Sequence, residues 1–301
     1  MINLPEGIDI NYLIDDLRIF SWEAADILIF YSNKFRTVSD KNTINKSKSN
    51  DDPVTLADLE VNEKIIKRIK DKYPKAPWDF LSEEYAKSDQ ISLNRNVDWL
   101  WIFDPLDGTK DFIQGTSNYA MHLALSYKNK PLIGLVLIPQ KDELWISDGD
   151  KVWCENRAGV KKNFNLSKNS RLDQMTIVLS KNHSNKKLQD LVKLISFKNQ
   201  IIMGSIGCKV ASILRGESDI YICMSEIGKS SPKDWDFAAP EVILKNSGGE
   251  ITTIENKDLV YNKERFNQSG IIIATGNKLN HKDICTQIKE VIKWNQFDLR
   301  I

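Results

Sequence analysis

The sequence predicts a layered α/β protein, and three features carry that expectation. Apolar residues recur at helical spacing near the start of the chain, closely spaced strand-like segments with short turns fill the middle, and helix and strand patterns mix in the second half. The 301 residues, 41% hydrophobic and 28% charged, suffice for a large core and have the balance of an ordinary globular protein.

The elements follow in order. Leu13, Leu17, Phe20, Ala24, Leu28 and Tyr31 lie three and four apart, the stripe of an amphipathic helix on a core. The segment KNTINKSKSNDD (41–52) is polar and basic with no apolar period, and reads as an exposed loop. A second helix starts near Leu56, with Ile65, Ile66, Ile69 and Tyr73 on its buried side. From Val97 the pattern becomes VDWLWIF, dense in aromatic and branched residues, and stops at DPLDGT: a strand ending in a polar elbow. The segments YAMHLALSY, PLIGLVLIP, ELWIS and KVWCEN then suggest an antiparallel meander. In the second half come MTIVLS, a helix over about 187–195, a segment around Ile201, a helix over about 207–215 and the strand SDIYICM. The last strong helix is expected over about 236–245, ending at NSGG, whose glycines suit a left-handed cap.

Composition excludes several functions. Forty-two basic against 41 acidic side chains give a formal net charge of +1, so no global field holds nucleic acid or an anionic membrane, and a bound anion must be gripped locally. The first residues, MINLPEGIDINYLIDD, are acidic where a signal peptide is basic, and no apolar run approaches the ~20 residues of a membrane span. The expected location is cytoplasmic. Cys154, Cys208, Cys223 and Cys285 are far apart with no CxxC pair, which suggests buried, reduced thiols rather than zinc or disulfides. His122, His183 and His281 are equally scattered, so a bound metal would need oxygen ligands.

The chemistry centres on DPLDGT. Asp104 and Asp107, three apart in a tight turn after a buried strand, can converge on one point, and two hard anions there suit Mg²⁺. LSEE adds Glu83 and Glu84. In KDWDFAAPEVILKNSGG, Asp236 falls in the first turn of a helix, where the dipole favours a carboxylate. In DDPVTLAD, Asp52 or Thr55 could cap the helix that has Asp58 in its first turn. Each piece alone reads as a turn, a solvated surface or a cap. The ordered set of VTxxD, EE, DPxDGT and WDxAAP is far more specific.

With these motifs the sequence resembles the inositol monophosphatase family, the lithium-sensitive, Mg²⁺-dependent phosphatases, over nearly the whole chain. Within that family it is most similar to the bacterial 3'(2'),5'-bisphosphate nucleotidases, on the cues LSEE, DPLDGTKDFI, GSIGCK and LSKNH. The resemblance implies an αβαβα sandwich of the sugar-phosphatase type. It implies an N-terminal α+β lobe over 1–155 with most metal ligands, and a C-terminal α/β lobe over 156–301 with Asp236 and the specificity residues. Homodimers occur in parts of the family, and the sequence carries no distinctive interface pattern.

Residue by residue, the resemblance makes Glu83, Asp104, Asp107 and Asp236 side-chain ligands of two or three Mg²⁺ ions, with the Leu106 carbonyl as a backbone ligand. Glu83 and Thr109 match positions that orient the attacking water. Asp107 and the amides of Gly108 and Thr109 would hold the phosphate, and Glu84 would support the ligands from behind. Ser180, His183, Gly204, Ser205, Lys209 and Asp236 match positions that contact the leaving group. One departure stands out: Asn50 occupies a place where the nucleotidases usually carry Asp, and an amide binds a third Mg²⁺ less well. The expected activity is hydrolysis of adenosine 3',5'-bisphosphate to AMP and phosphate by direct water attack. The alternatives are an inositol or sugar phosphate phosphatase and a non-catalytic binder of a phosphorylated metabolite.

Overall fold

A computed structural model describes residues 4–37, 45–47, 53–87, 97–181, 185–225 and 231–295. Helix α1 (Ile10–Thr37) is followed by the short strands β1 (Asn45–Ser47) and β2 (Pro53–Thr55), which pair antiparallel, and by helix α2 (Leu56–Lys72). Part of the segment read as a loop is thus a strand, because Asn45–Ser47 finds its ladder partner in Pro53–Thr55 rather than in any periodicity of its own. Tyr73 lies one residue beyond the end of α2.

Strand β3 (Trp78–Ser82) leads directly into the short helix α3 (Glu83–Lys87). Strand β4 (Trp99–Asp107) leads into α4 (Thr109–Ile113) through Gly108. Then β5 (Ala120–Tyr127), β6 (Lys130–Ile138), β7 (Glu143–Ser147), β8 (Val152–Glu155) and β9 (Lys161–Lys162) complete a sheet in sequence order, β3 to β9. The pair β3–β4 is parallel and the remainder is the antiparallel meander that the short turns suggest.

The second half carries β10 (Thr176–Ser180), α5 (Lys186–Ile195), β11 (Asn199–Met203), α6 (Ile206–Leu214), β12 (Ile220–Ser225) and α7 (Asp234–Asn246). Strands β13 (Glu250–Thr253) and β14 (Gly270–Thr275) precede helix α8 (Lys278–Trp294). Its sheet has the order β11-β10-β12-β14-β13, parallel on the β11 side and antiparallel on the β14 side. The expectation that residues 236–245 form the last strong helix fails. Ile284, Cys285, Ile288 and Ile292 repeat at helical spacing on the buried face of α8.

Three cores fix five layers. Helices α1 and α2 pack on one face of the first sheet, with Leu13, Leu17, Ile65, Trp101 and Phe103 among the buried contacts. Helices α6 and α7 fill the space between the sheets against Leu100, Ile102, Ala124, Val178 and Tyr221. Helices α5 and α8 cover the outer face of the second sheet against Ile177, Ile222 and Ile273. Because both faces of β4 are covered, its sequence is a near-continuous apolar run, with Trp99, Trp101 and Phe103 facing one core and Leu100 and Ile102 the other. The four cysteines are free thiols; Cys223 is half-buried rather than buried like the others, since its strand position borders the inner layer without being sealed by it. Among the described residues no helix is long and apolar enough to cross a membrane.

Candidate metal centre and active site

The β4 turn is built to expose carboxylates. The regular pairing of β4 with β5 holds to Asp104, opposite His122, and the register shifts before Asp107. Asp104 accepts the Leu106 amide at 3.0 Å, closing the turn on itself. Gly108 adopts φ +87, and a side chain there would strike the Asn118 carbonyl and the Ser205 amide, so glycine is required. The Thr109 hydroxyl donates to the Leu106 carbonyl at 3.0 Å, which joins two of the sequence-predicted residues.

Asp107 is held from the second half of the chain. Its Oδ2 accepts from the Ser205 hydroxyl at 2.7 Å and from the Ile206 amide at the start of α6. Asp236 sits three residues into α7 and accepts the Lys233 amide at 2.6 Å, the reach-back half of a capping box. Carboxylate oxygens of Asp104, Asp107 and Asp236 all lie within 4.8 Å of one another. Glu83 joins them because β3 runs parallel to β4, placing Ser82 beside Phe103 and the start of α3 beside the end of β4. The Glu83 carboxyl is ion-paired to Lys87 at 2.8 Å and lies close enough to Asp104 for its charge to act there. Glu84 is buried and also faces Lys87, at 3.2 Å.

The electrostatics are those of a cation site. Burial holds the Asp104 carboxyl well above the usual range, and the charges of Glu83, Asp107 and Asp236 push it further up. Asp236 is raised by burial first and by Asp107 next; Glu83 is raised chiefly by burial, against the pull of Lys87. A set of hard oxygen donors that repel one another, Asp104 buried and Asp107, Asp236 and Glu83 half-buried, fits a divalent cation with oxygen ligands.

The remaining predicted residues lie around the same end of the sheets. Ser180, half-buried, ends β10 opposite Met203, next to Gly204. Ser205 is fully buried and caps α6, accepting the Cys208 amide at 3.2 Å. Lys209 is 1% exposed; its ammonium donates to the Gly204 carbonyl and lies 5.2 Å over the Tyr221 ring. His183 and Asn50 lie outside the described residues. Sequence reasoning passed over Lys87, Asp111 and His122. Asp111 is fully buried, accepts from Thr116 at 2.8 Å and pairs with Lys181 at 3.5 Å. The period of two along YAMHLALSY could have set His122 on the Ala120 and Ala124 face, towards the inner layer.

These features define a five-layer α/β protein with an acidic cation site where the first sheet meets the helices between the layers. The chain belongs to the inositol monophosphatase family, whose model matches residues 19–293. It is 28% identical over 233 residues to the 3'(2'),5'-bisphosphate nucleotidase CysQ of Buchnera aphidicola, covering 77% of this chain and 80% of that one. It is 29% identical over 208 residues to the 3'(2'),5'-bisphosphate nucleotidase 1 of Rattus norvegicus, covering 66% of each chain. The fold matches that of the IMPase of Thermotoga maritima with a TM-score of 0.71 at 21% identity, covering 93% of this chain and 98% of that one.

Proposed function

We propose that the protein is a Mg²⁺-dependent phosphomonoesterase acting on a small phosphorylated metabolite, and that its substrate is a 3',5'-bisphosphate nucleotide. The observation that carries the reading is the convergence of Asp104, Asp107 and Asp236 within 4.8 Å, with Glu83 beside them at the start of α3. The nucleotidase relatives favour the nucleotide over an inositol or sugar phosphate.

Asp104, Asp107, Asp236 and Glu83 would hold the metal ions, together with the Leu106 carbonyl. Bound Mg²⁺ would supply Lewis acidity towards the phosphate and the attacking water. Glu83, raised above its ordinary range, is suited to take a proton from that water. Thr109, fixed on the Leu106 carbonyl, would orient it. The amides of Gly108 and Thr109 begin α4, where backbone donors have no partner within the helix, and would bind phosphoryl oxygens. Ser180, His183, Gly204, Ser205 and Lys209 would select the leaving group, with Lys209 supplying a positive charge for a second phosphate.

The test is phosphate release from adenosine 3',5'-bisphosphate and from inositol 1-phosphate, each with Mg²⁺ and with chelator. Release from the nucleotide alone, abolished by chelator, is the expected result. Faster release from the inositol ester overturns the substrate assignment, and release from neither ester overturns the enzymatic reading.

A further inference from the structure

His122 is fully buried on β5, and its ladder partner on β4 is Asp104. Opposed residues on neighbouring strands share a face, so the ring points into the layer that α6 and α7 occupy. Its Nδ1 lies 3.4 Å from the carbonyl of Trp235, the residue before Asp236. Its Nε2 lies 3.4 Å from Asp107 Oδ2, an approach that is not in hydrogen-bond geometry, and makes no other polar contact. A Cβ on Gly207 of α6 would stand 2.2 Å from this same Nε2, so the ring occupies room that only glycine leaves. One rigid ring therefore touches the turn that carries Asp107 and the turn that carries Asp236.

We propose that His122 is a positioning residue for the cation site, setting the distance between Asp107 and Asp236 through its contacts with Asp107 Oδ2 and the Trp235 carbonyl. The proposal rests on reading these carboxylates as metal ligands. An imidazole suits the task because its two nitrogens are fixed on opposite sides of a flat ring; the neutral ring donates from one of them to one of the two oxygens, and the other contact is steric. Partners that hold metal ligands from behind commonly contribute 10–100-fold in metal affinity or activity.

The experiment is calorimetric titration of Mg²⁺, and of Mn²⁺ as a second probe, into the metal-free full chain. The proteins compared are wild type, His122→Leu and His122→Asn, with circular dichroism and thermal unfolding in chelator. His122→Leu, folded, should bind the ions at least about tenfold more weakly, and His122→Asn, which keeps a polar group, at least about threefold more weakly. The Mg²⁺ concentration for half-maximal activity should rise in parallel, with kcat at saturating Mg²⁺ moving less. Binding by both variants within about twofold of wild type overturns the proposal, even if thermal stability falls, since that result assigns His122 to packing alone. Should His122→Leu not fold, His122→Asn decides by the same limits. Absence of Mg²⁺ binding by wild type would instead overturn the metal reading on which the proposal stands.

Discussion

The Ser205 hydroxyl donates to Asp107 Oδ2 at 2.7 Å, joining the start of helix α6 to a turn 98 residues earlier in the chain. The same hydroxyl accepts the Cys208 amide at 3.2 Å, so one side chain caps a helix and orients a carboxylate. Asp107 Oδ2 is thereby occupied by protein donors. Ser205→Ala should cost about 0.5–2 kcal/mol of stability through the lost cap. It should also weaken Mg²⁺ binding, because Asp107 would keep only the Ile206 amide and the longer approach of His122. Urea unfolding in chelator and Mg²⁺ titration separate the two effects; a stability loss with unchanged affinity would show that Asp107 needs no orientation by Ser205.

Asp104→Asn should abolish turnover and stabilise the metal-free protein. Removing a ligand that contributes several kcal/mol of charge stabilisation should lower kcat by roughly a thousandfold. In the metal-free state burial, with the charges of Glu83, Asp107 and Asp236, raises the Asp104 carboxyl above its unfolded value of about 4. This group's contribution is present below the unfolded value and is lost as pH rises through the elevated folded value. The amide has no such loss, so in chelator the variant's advantage should grow as pH rises above about 4. His281, held down to about 4 by burial, acts in the opposite sense but is common to both proteins and cancels in the difference. With Mg²⁺ the order should reverse, wild type gaining from ligand linkage. A pH-independent difference would sink the account.

Much of this was legible in the sequence because the chemistry sits in local motifs. The spacing of Asp104 and Asp107 needs only a turn after a strand, and the helical stripe from Leu13 to Leu28 needs only α1 itself. Contacts set by topology were not legible. Nothing local to YAMHLALSY says that its histidine stands across from Asp104, since that follows from the β4–β5 register and from Gly207 lying over the ring. Glu83 was named from LSEE and the family resemblance, but its place beside Asp104 follows from the parallel pairing of β3 with β4, and WDFLS lacks the alternation that would announce an edge strand. Helix α8 carried a readable period, but its exposed Leu279 and Trp294 blur the contrast between its faces.

Lys209→Met should separate recognition from catalysis. The ammonium is buried with a pKa lowered by desolvation, so an apolar side chain of similar length should leave stability unchanged or higher. If Lys209 serves a second phosphate, KM for adenosine 3',5'-bisphosphate should rise roughly tenfold or more, the value of a hydrogen bond to a charged group. Hydrolysis of an aryl phosphate, which has no second anion, should change little. Equal losses on both substrates would mean that Lys209 acts by holding the Gly204 carbonyl rather than by meeting the nucleotide.

Gly134→Ala tests whether packing distant from the chemistry controls the site. A Cβ at this position on β6 would lie 2.3 Å from Val242 Cγ1 and 2.9 Å from the Ala239 carbonyl oxygen. Val242 can rotate, but the carbonyl is helix backbone, so α7 itself must move. Overpacking of this kind typically costs about 1–3 kcal/mol, which urea unfolding would measure. Helix α7 carries Asp236 in its first turn, a little under one turn before Ala239, so a rigid displacement would change the spacing of Asp236 from Asp104 and Asp107. Mg²⁺ affinity should therefore fall together with stability. Adding Val242→Ala would relieve the side-chain clash and leave the backbone one, and the double variant should regain part of the stability while its metal affinity stays low. If affinity holds at the wild-type level in both variants, α7 yields locally around Ala239, and the position of Asp236 is fixed by its own bond from the Lys233 amide rather than by the seat of the helix on the sheet.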